Sequence, residues 1–248
     1  MKINHLREIQ RYWNSEAEDY KKNHPEHLDS NMHPSWGLWH IPEAALNLMP
    51  KDLSGVTLLD LGCGRGHDAV AYGKLGAKVT AIDVSEEQLK NAIEHPNVKY
   101  MHCPAEKVPL SDESFDCIIS DHGAFDHSPA DLLLMEAVRL LKPGGHLIIC
   151  TYSPLAYCCY NNSSSQIESV LINDYPAANV KFDDRVVVAE YSYSSWIAMF
   201  NKLHLTIERL EEVIIPNNSK DYFDELVDKE WASRWPCDII WKVCKKPL

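Results

Sequence analysis

The chain has 248 residues, 45% of them hydrophobic, and a formal net charge of −12. That length and apolar content support one domain, or one domain with a cap. The acidic balance argues against a nucleic-acid partner, which calls for a basic face, and no apolar run reaches membrane-spanning length.

Residues 1–50 are rich in aromatics and histidine, among them Tyr12, Trp13, Tyr20, His24, His27, His33, Trp36, Trp39 and His40. A helix is predicted over Leu6 to Lys22. The first residues show no apolar signal-peptide core, so the chain reads as cytoplasmic and not as a membrane protein. The eight cysteines include no C-x-x-C pair; they read as buried small hydrophobes rather than disulfides or metal ligands.

Val56 to Leu61 is short and nearly all apolar, as a buried strand of a parallel sheet should be. Gly62, Gly64 and Gly66 follow it directly. Glycines clustered there let the chain turn sharply and let a ligand approach the backbone. His67 to Lys74 reads as a helix, and Lys78 to Ile82 as a second strand ending at Asp83. An acidic residue at that point commonly takes the ribose hydroxyls of an adenosine-type ligand. The spacing is G-x-G-x-G, with His67 where a dinucleotide fingerprint has its third glycine.

Val98 to Cys103 reads as a third strand, followed by Pro104-Ala105-Glu106. Ser114 to Ser120 reads as a fourth, leading into Asp121-His122-Gly-Ala-Phe-Asp126-His127. Leu140-Leu-Lys-Pro-Gly-Gly145 reads as the turn closing a helix, with glycine as its cap, and His146 to Cys150 as a fifth strand. Further on, Val186 to Ala189 reads as a short strand and Ser192 to Leu203 as an amphipathic helix. Leu205 to Val213 and Asp238 to Cys244 read as the last two strands.

The Asp60-Leu-Gly-Cys-Gly-Arg-Gly66 string resembles motif I of class I S-adenosylmethionine-dependent methyltransferases. Ala81-Ile-Asp-Val-Ser85, Phe115-Asp116 and the Lys142-Pro-Gly-Gly145 turn fall in that family's order. The resemblance is strong over residues 55–152. It implies an α/β fold: a Rossmann-like, doubly wound sheet of seven strands in the order 3-2-1-4-5-7-6, the last antiparallel, with an N-terminal helical lid. Residues 1–50 would be the lid and 51–248 the methyltransferase domain, with a cofactor-binding half at 51–152 and an acceptor-side half at 153–248.

The resemblance further implies S-adenosyl-L-methionine as cofactor. Asp60 would serve its ammonium group, and Gly62, Cys63 and Gly64 would wrap the methionine portion. Asp83 and Val84 would meet the ribose, and Ala105 and Glu106 the adenine, although Glu106 reads equally well as a solvated loop charge. Ser120 and Asp121 would present backbone to the amino group, and Tyr20 and Trp39 would close over the site. His122 is the candidate general base, its imidazole titrating near neutrality, with His127 as a second candidate. No metal is assigned. The partner implied is a small-molecule acceptor, methylated on oxygen or nitrogen, with a second copy of the chain as a candidate partner. A nicotinamide-dependent oxidoreductase and a non-catalytic cofactor-binding protein remain open alternatives.

Overall fold

In the computed structural model, residues 5–23, 33–176, 178–183, 186–215 and 226–247 are described. His24 and His27 lie outside them. The framework is one seven-stranded sheet: β1 (Thr57–Leu61), β2 (Lys78–Asp83), β3 (Val98–His102), β4 (Phe115–Asp121), β5 (Leu141–Tyr152), β6 (Leu205–Val213) and β7 (Asp238–Lys245). Their order across the sheet is β3-β2-β1-β4-β5-β7-β6. The first five are parallel, and β7 runs antiparallel to both β5 and β6. This is the order expected from the sequence.

The helices are α1 (His5–Asn23), α2 (His67–Lys74), α3 (Glu86–Lys90), α4 (Ala130–Leu140), α5 (Pro154–Cys159) and α6 (Tyr193–Lys202). Two core clusters cover the two faces of the sheet. One packs α4 and α6 through Leu133, Leu134, Trp196 and Phe200 against Leu59, Ile118 and Trp241. The other packs Tyr72 of α2 with Trp36, Leu48, Leu58, Ile119 and Ile148. Residues 35–50 therefore join the body of the fold, through a short hairpin of Ser35–Trp36 with Ile41–Pro42. Among the described residues of the N-terminal segment, α1 lies over the site, and Ser35, Gly37, Leu38 and His40 join its lining. Helix α1 is tied there by Ser85 Oγ donating to Asn14 at 2.7 Å and Lys21 Nζ donating to Asn91 at 3.0 Å.

One local expectation is corrected. The Lys142-Pro-Gly-Gly145 segment is not a helix-capping turn. Leu141, the cap of α4, is already extended, and β5 begins there. Leu141 pairs with Phe115 while His146 pairs with Cys117. The segment is thus a bulge that takes up the extra residues while the strand stays in the sheet, anchored by Lys142 Nζ on Asp116 at 2.8 Å.

Register brings the chemistry to one edge. Leu61 lies level with Ile82, and Asp121 with Cys150. Because β7 is reversed, its first residue, Asp238, lies beside Tyr152 at the carboxyl end of β5. Asp60, Asp83, Asp121 and Asp238 therefore collect where open α/β sheets bind ligands.

Candidate active site

A cavity of about 700 Å³ opens at this edge beneath α1. The glycine loop forms one wall. A Cβ on Gly62, whose φ is +79°, would collide with the backbone nitrogen of Ala124. A Cβ on Gly64, whose φ is +52°, would meet nothing within 4 Å. Gly62 is therefore small so that β1 and the loop after β4 can touch, whereas Gly64 faces open space in the cavity wall. The loop is held by Asp83, whose Oδ2 accepts the Gly64 N–H at 2.8 Å and whose Oδ1 accepts the Ser85 N–H at 2.7 Å. Both oxygens keep a lone pair for a ligand.

The floor is unusually acidic. Burial, then the charges of Asp68, Asp121 and Asp83, push the Asp60 carboxyl well above the usual carboxylate range. Burial also raises Asp83. Burial and Asp68 push Asp121 up to about 7, against the opposing pull of His122 and of the Gly37 N–H. That N–H reaches both Asp121 oxygens, at 2.9 and 3.2 Å.

His122 sits in the left-handed region at φ +44°. Its Nδ1 donates to Asp126 Oδ2 at 2.9 Å. Its Nε2 lies 3.2 Å from Asp238 Oδ1, an ion pair whose angle falls short of a hydrogen bond. Burial alone would lower the His122 pKa, but the Asp238 and Asp126 carboxylates outweigh it and hold the ring well above its usual value. A ring biased towards its charged form by two carboxylates has less of the unprotonated, proton-accepting form than a general base requires. Asp126 also accepts from Thr151 Oγ1, and Leu38 N–H donates to Asp238 Oδ2 at 2.9 Å. Asp121, His122 and Cys150 bring an oxygen, a nitrogen and a sulfur within 4.8 Å of one another. His122 Nδ1 is taken by Asp126 and Asp121 accepts the Gly37 N–H, while His122 Nε2 makes no hydrogen bond among the described residues.

Asp60, Gly62, Cys63, Gly64, Asp83, Val84, Ala105, Glu106, Asp121, His122 and Tyr20 all line the cavity. Glu106 is no solvated charge: it accepts from His5 of α1 at 3.1 Å. The side chain of Ser120, whose expected contact is through its backbone, is turned into the fold, and Trp39 lies elsewhere. Ser120 is fully buried and donates its hydroxyl to Leu61 O at 3.0 Å, fastening β4 to β1. Trp39 packs into a third apolar cluster with Ala156, Ile167 and Trp231. Its large apolar ring finds more surface to bury there than above a polar cavity. The Gly37-Leu38 amides, Asp238 and the Tyr152–Tyr157 wall were not singled out in the sequence as site residues. A carboxylate opening an apolar strand, as in Asp238-Ile-Ile-Trp241, was the readable signal for one of them.

Residues 59–149 match the family described as a methyltransferase domain. The chain carries a class I S-adenosylmethionine-dependent methyltransferase domain. The demethylmenaquinone methyltransferase of Clavibacter sepedonicus is 33% identical to it over 120 residues, 47% of this chain and 48% of that protein. The ubiquinone/menaquinone biosynthesis C-methyltransferase UbiE of Escherichia coli is 34% identical over 145 residues, 50% of this chain and 58% of that one. The chain thus spans about half the length of the curated relatives it matches. Among solved structures, an S-adenosylmethionine-dependent methyltransferase from Mesorhizobium loti superposes with a TM-score of 0.67 at 22% identity, covering 81% of this chain and 95% of that one. The geranyl diphosphate C-methyltransferase of Streptomyces coelicolor, in complex with Mg2+, geranyl-S-thiolodiphosphate and S-adenosyl-L-homocysteine, does so with 0.67 at 18% identity, covering 98% and 99%. These likenesses establish the fold of the methyltransferase domain, and the match centres on the strands that build the cavity.

Proposed function

We propose that the protein transfers a methyl group from S-adenosylmethionine to a small-molecule acceptor. The observation that carries this reading is an acid-floored cavity that opens at Gly64. The ligand's sulfonium and ammonium are cations, and a buried group of carboxylates is the surface that favours them. Asp60 and Asp68 would serve the ammonium end, Asp83 the ribose hydroxyls, and Ala105 and Glu106 the adenine. When bound, the cofactor supplies an electrophilic methyl group that needs no further activation.

The chain's own contribution is placement and proton removal. Helix α1 covers the cavity with Trp13 and Tyr20, excluding water. His122, flanked by Asp126 and Asp238, serves to fix the loop after β4. Asp121 replaces it as the group to receive an acceptor proton, because its carboxyl faces the cavity and titrates at about 7. Relatives named as C-methyltransferases add carbon to oxygen and nitrogen as acceptor atoms to be tested. A reducing, cytoplasmic setting suits eight free cysteines.

The test is calorimetric titration of the purified protein with S-adenosylhomocysteine and, separately, with NAD. One-to-one binding of the former and none of the latter supports the reading. Binding of NAD alone would return the nicotinamide alternative.

A further inference from the structure

Away from the cavity, at the other end of β7, three side chains of different chemistry converge. His146 of β5 and Cys244 of β7 are partners in register. Glu208 of β6 reaches across β7 towards them, its Oε2 lying 3.3 Å from His146 Nε2. An imidazole nitrogen, a carboxylate oxygen and Cys244 Sγ all fall within 4.8 Å of one another. Cys244 lies near the far end of β7, about 20 Å from Asp238 at about 3.4 Å per residue.

A local irregularity places the carboxylate. Strand β6 is the edge of the sheet, and its register against β7 shifts between Ile207 and Arg209. Because Ile207 pairs with Val243, regular pairing would set Glu208 level with Lys242. Arg209 takes that partner instead, and Glu208 is the extra residue of a bulge. Bulges at sheet edges re-aim side chains in this way. Here the outcome is a carboxylate beside an imidazole and a thiol.

The donor set selects among metals. Imidazole nitrogen and thiolate sulfur favour a borderline-soft divalent ion of the zinc class, whereas magnesium and calcium take oxygen. Bonds to zinc of about 2.0–2.3 Å in a tetrahedron set neighbouring ligand atoms about 3.4–3.8 Å apart. The 3.3 Å between the His146 and Glu208 atoms is close to that spacing. One thiolate and one carboxylate supply the two negative charges that balance a divalent ion. His146 and Cys244 are half-buried and Glu208 is exposed, so the ion has a path in from solvent. Two existing contacts must give way, and both are weak. Lys242 Nζ stands 3.6 Å from the same Glu208 oxygen, in a partly exposed pair. The Cys244 thiol donates to Lys245 O at 3.5 Å.

We infer that His146, Glu208 and Cys244 form a binding site for one zinc-class divalent cation, with water as the fourth ligand. The thiol proton leaves to solvent as the metal–sulfur bond forms, and the imidazole binds in its neutral form. The ion ties β5, β7 and β6 together, so it clips the edge hairpin to the sheet and does not touch the methyl-donor cavity.

The experiment titrates the full chain, kept reduced and stripped of metal by a chelator, with zinc chloride and separately with cobalt chloride. Calorimetry is expected to show one equivalent of zinc with a dissociation constant below about 10 µM. Cobalt is expected to give a thiolate-to-metal charge-transfer band, which Cys244→Ser abolishes. Cys244→Ser, His146→Ala and Glu208→Gln should each weaken zinc binding at least about tenfold while keeping a cooperative unfolding transition. Cys150→Ala, in the cavity-side group of Asp121, His122 and Cys150, should leave both the band and the zinc affinity unchanged. No zinc bound at about 100 µM would overturn the site. So would equal affinity in the wild type and the three variants, or a band lost in Cys150→Ala and kept in Cys244→Ser. Every readout is of the metal, so the result stands apart from the methyltransferase reading.

Discussion

Asp126 and Asp238, more than a hundred residues apart in the chain, hold the His122 ring between them, at 2.9 Å on one nitrogen and 3.2 Å on the other. Asp238 is fully buried and also receives the Leu38 N–H. The same carboxylate thus fastens the segment before the sheet to the loop after β4. Removing one partner of a buried ion pair leaves the other charge uncompensated. Asp238→Ala is therefore expected to lower unfolding free energy by about 3–5 kcal/mol, read by urea denaturation. A loss below about 0.5 kcal/mol, the range of ordinary surface substitutions, would show that the His122 clamp is not structural.

The two glycines at 62 and 64 should separate folding from binding. Gly62→Ala forces a methyl into the Ala124 backbone; overpacking of that kind costs about 1–3 kcal/mol, to be seen as a lowered melting temperature. Gly64→Ala meets no protein atom, so its cost is the left-handed backbone alone, about 1–2 kcal/mol. Its main effect should be on S-adenosylhomocysteine affinity, because the new methyl occupies ligand space. Unchanged affinity in Gly64→Ala would remove that residue from the ligand wall.

Asp83 has two tasks, holding the Gly64 and Ser85 amides and meeting the ligand. Asp83→Ala should weaken S-adenosylhomocysteine binding by about 1–3 kcal/mol, the scale for leaving buried hydrogen-bonding groups unpaired. The calorimetric comparison with wild type checks it, and equal affinities would exclude Asp83 from the ribose site.

The pH dependence has a definite sign. His122 has a raised folded pKa, so the stability it contributes is present below its ordinary value of 6.5 and is lost as pH rises through the folded value. Asp60, Asp83 and Asp121 are also raised, so the folded state binds more protons than the unfolded state above 3.8, in the case of Asp121 up to about 7. Asp121 therefore makes the ligand-free protein less stable as pH rises from 3.8 to about 7, His122 does so as pH rises above 6.5, and Asp60 and Asp83 act in the same direction above 3.8. The same ionisation favours a cation: the affinity ratio of S-adenosylmethionine to its neutral-sulfur product should rise across about pH 7. A ratio flat with pH would show that the carboxylates do not face the sulfonium.

The parallel half of the sheet was legible because its strands are short apolar runs ended by Gly62, Asp83 and Asp121, a pattern that names both the element and its ligand-facing end. The edge hairpin was legible from the apolar runs at 205–213 and 238–244. What the sequence hid was long-range placement. Nothing near His122 announces Asp238, because the contact exists only once β7 runs antiparallel beside β5. The imidazole therefore looked like a free base when it is flanked by two carboxylates. Trp39 looked like a lid residue because aromatic character does not reveal which of two apolar surroundings a ring will enter. The Lys-Pro-Gly-Gly segment looked like a cap because its composition serves a bulge equally well.

The most direct measurement of the proposed function is calorimetric titration of the wild-type protein with S-adenosylmethionine near pH 7.5, repeated with Gly64→Ala and Asp83→Ala. The expected result is one-to-one binding in the wild type and clear weakening in both variants, each of which keeps a cooperative unfolding transition. Absence of binding in a folded wild-type protein, or equal binding in all three, would contradict the assignment of this cavity as the methyl-donor site.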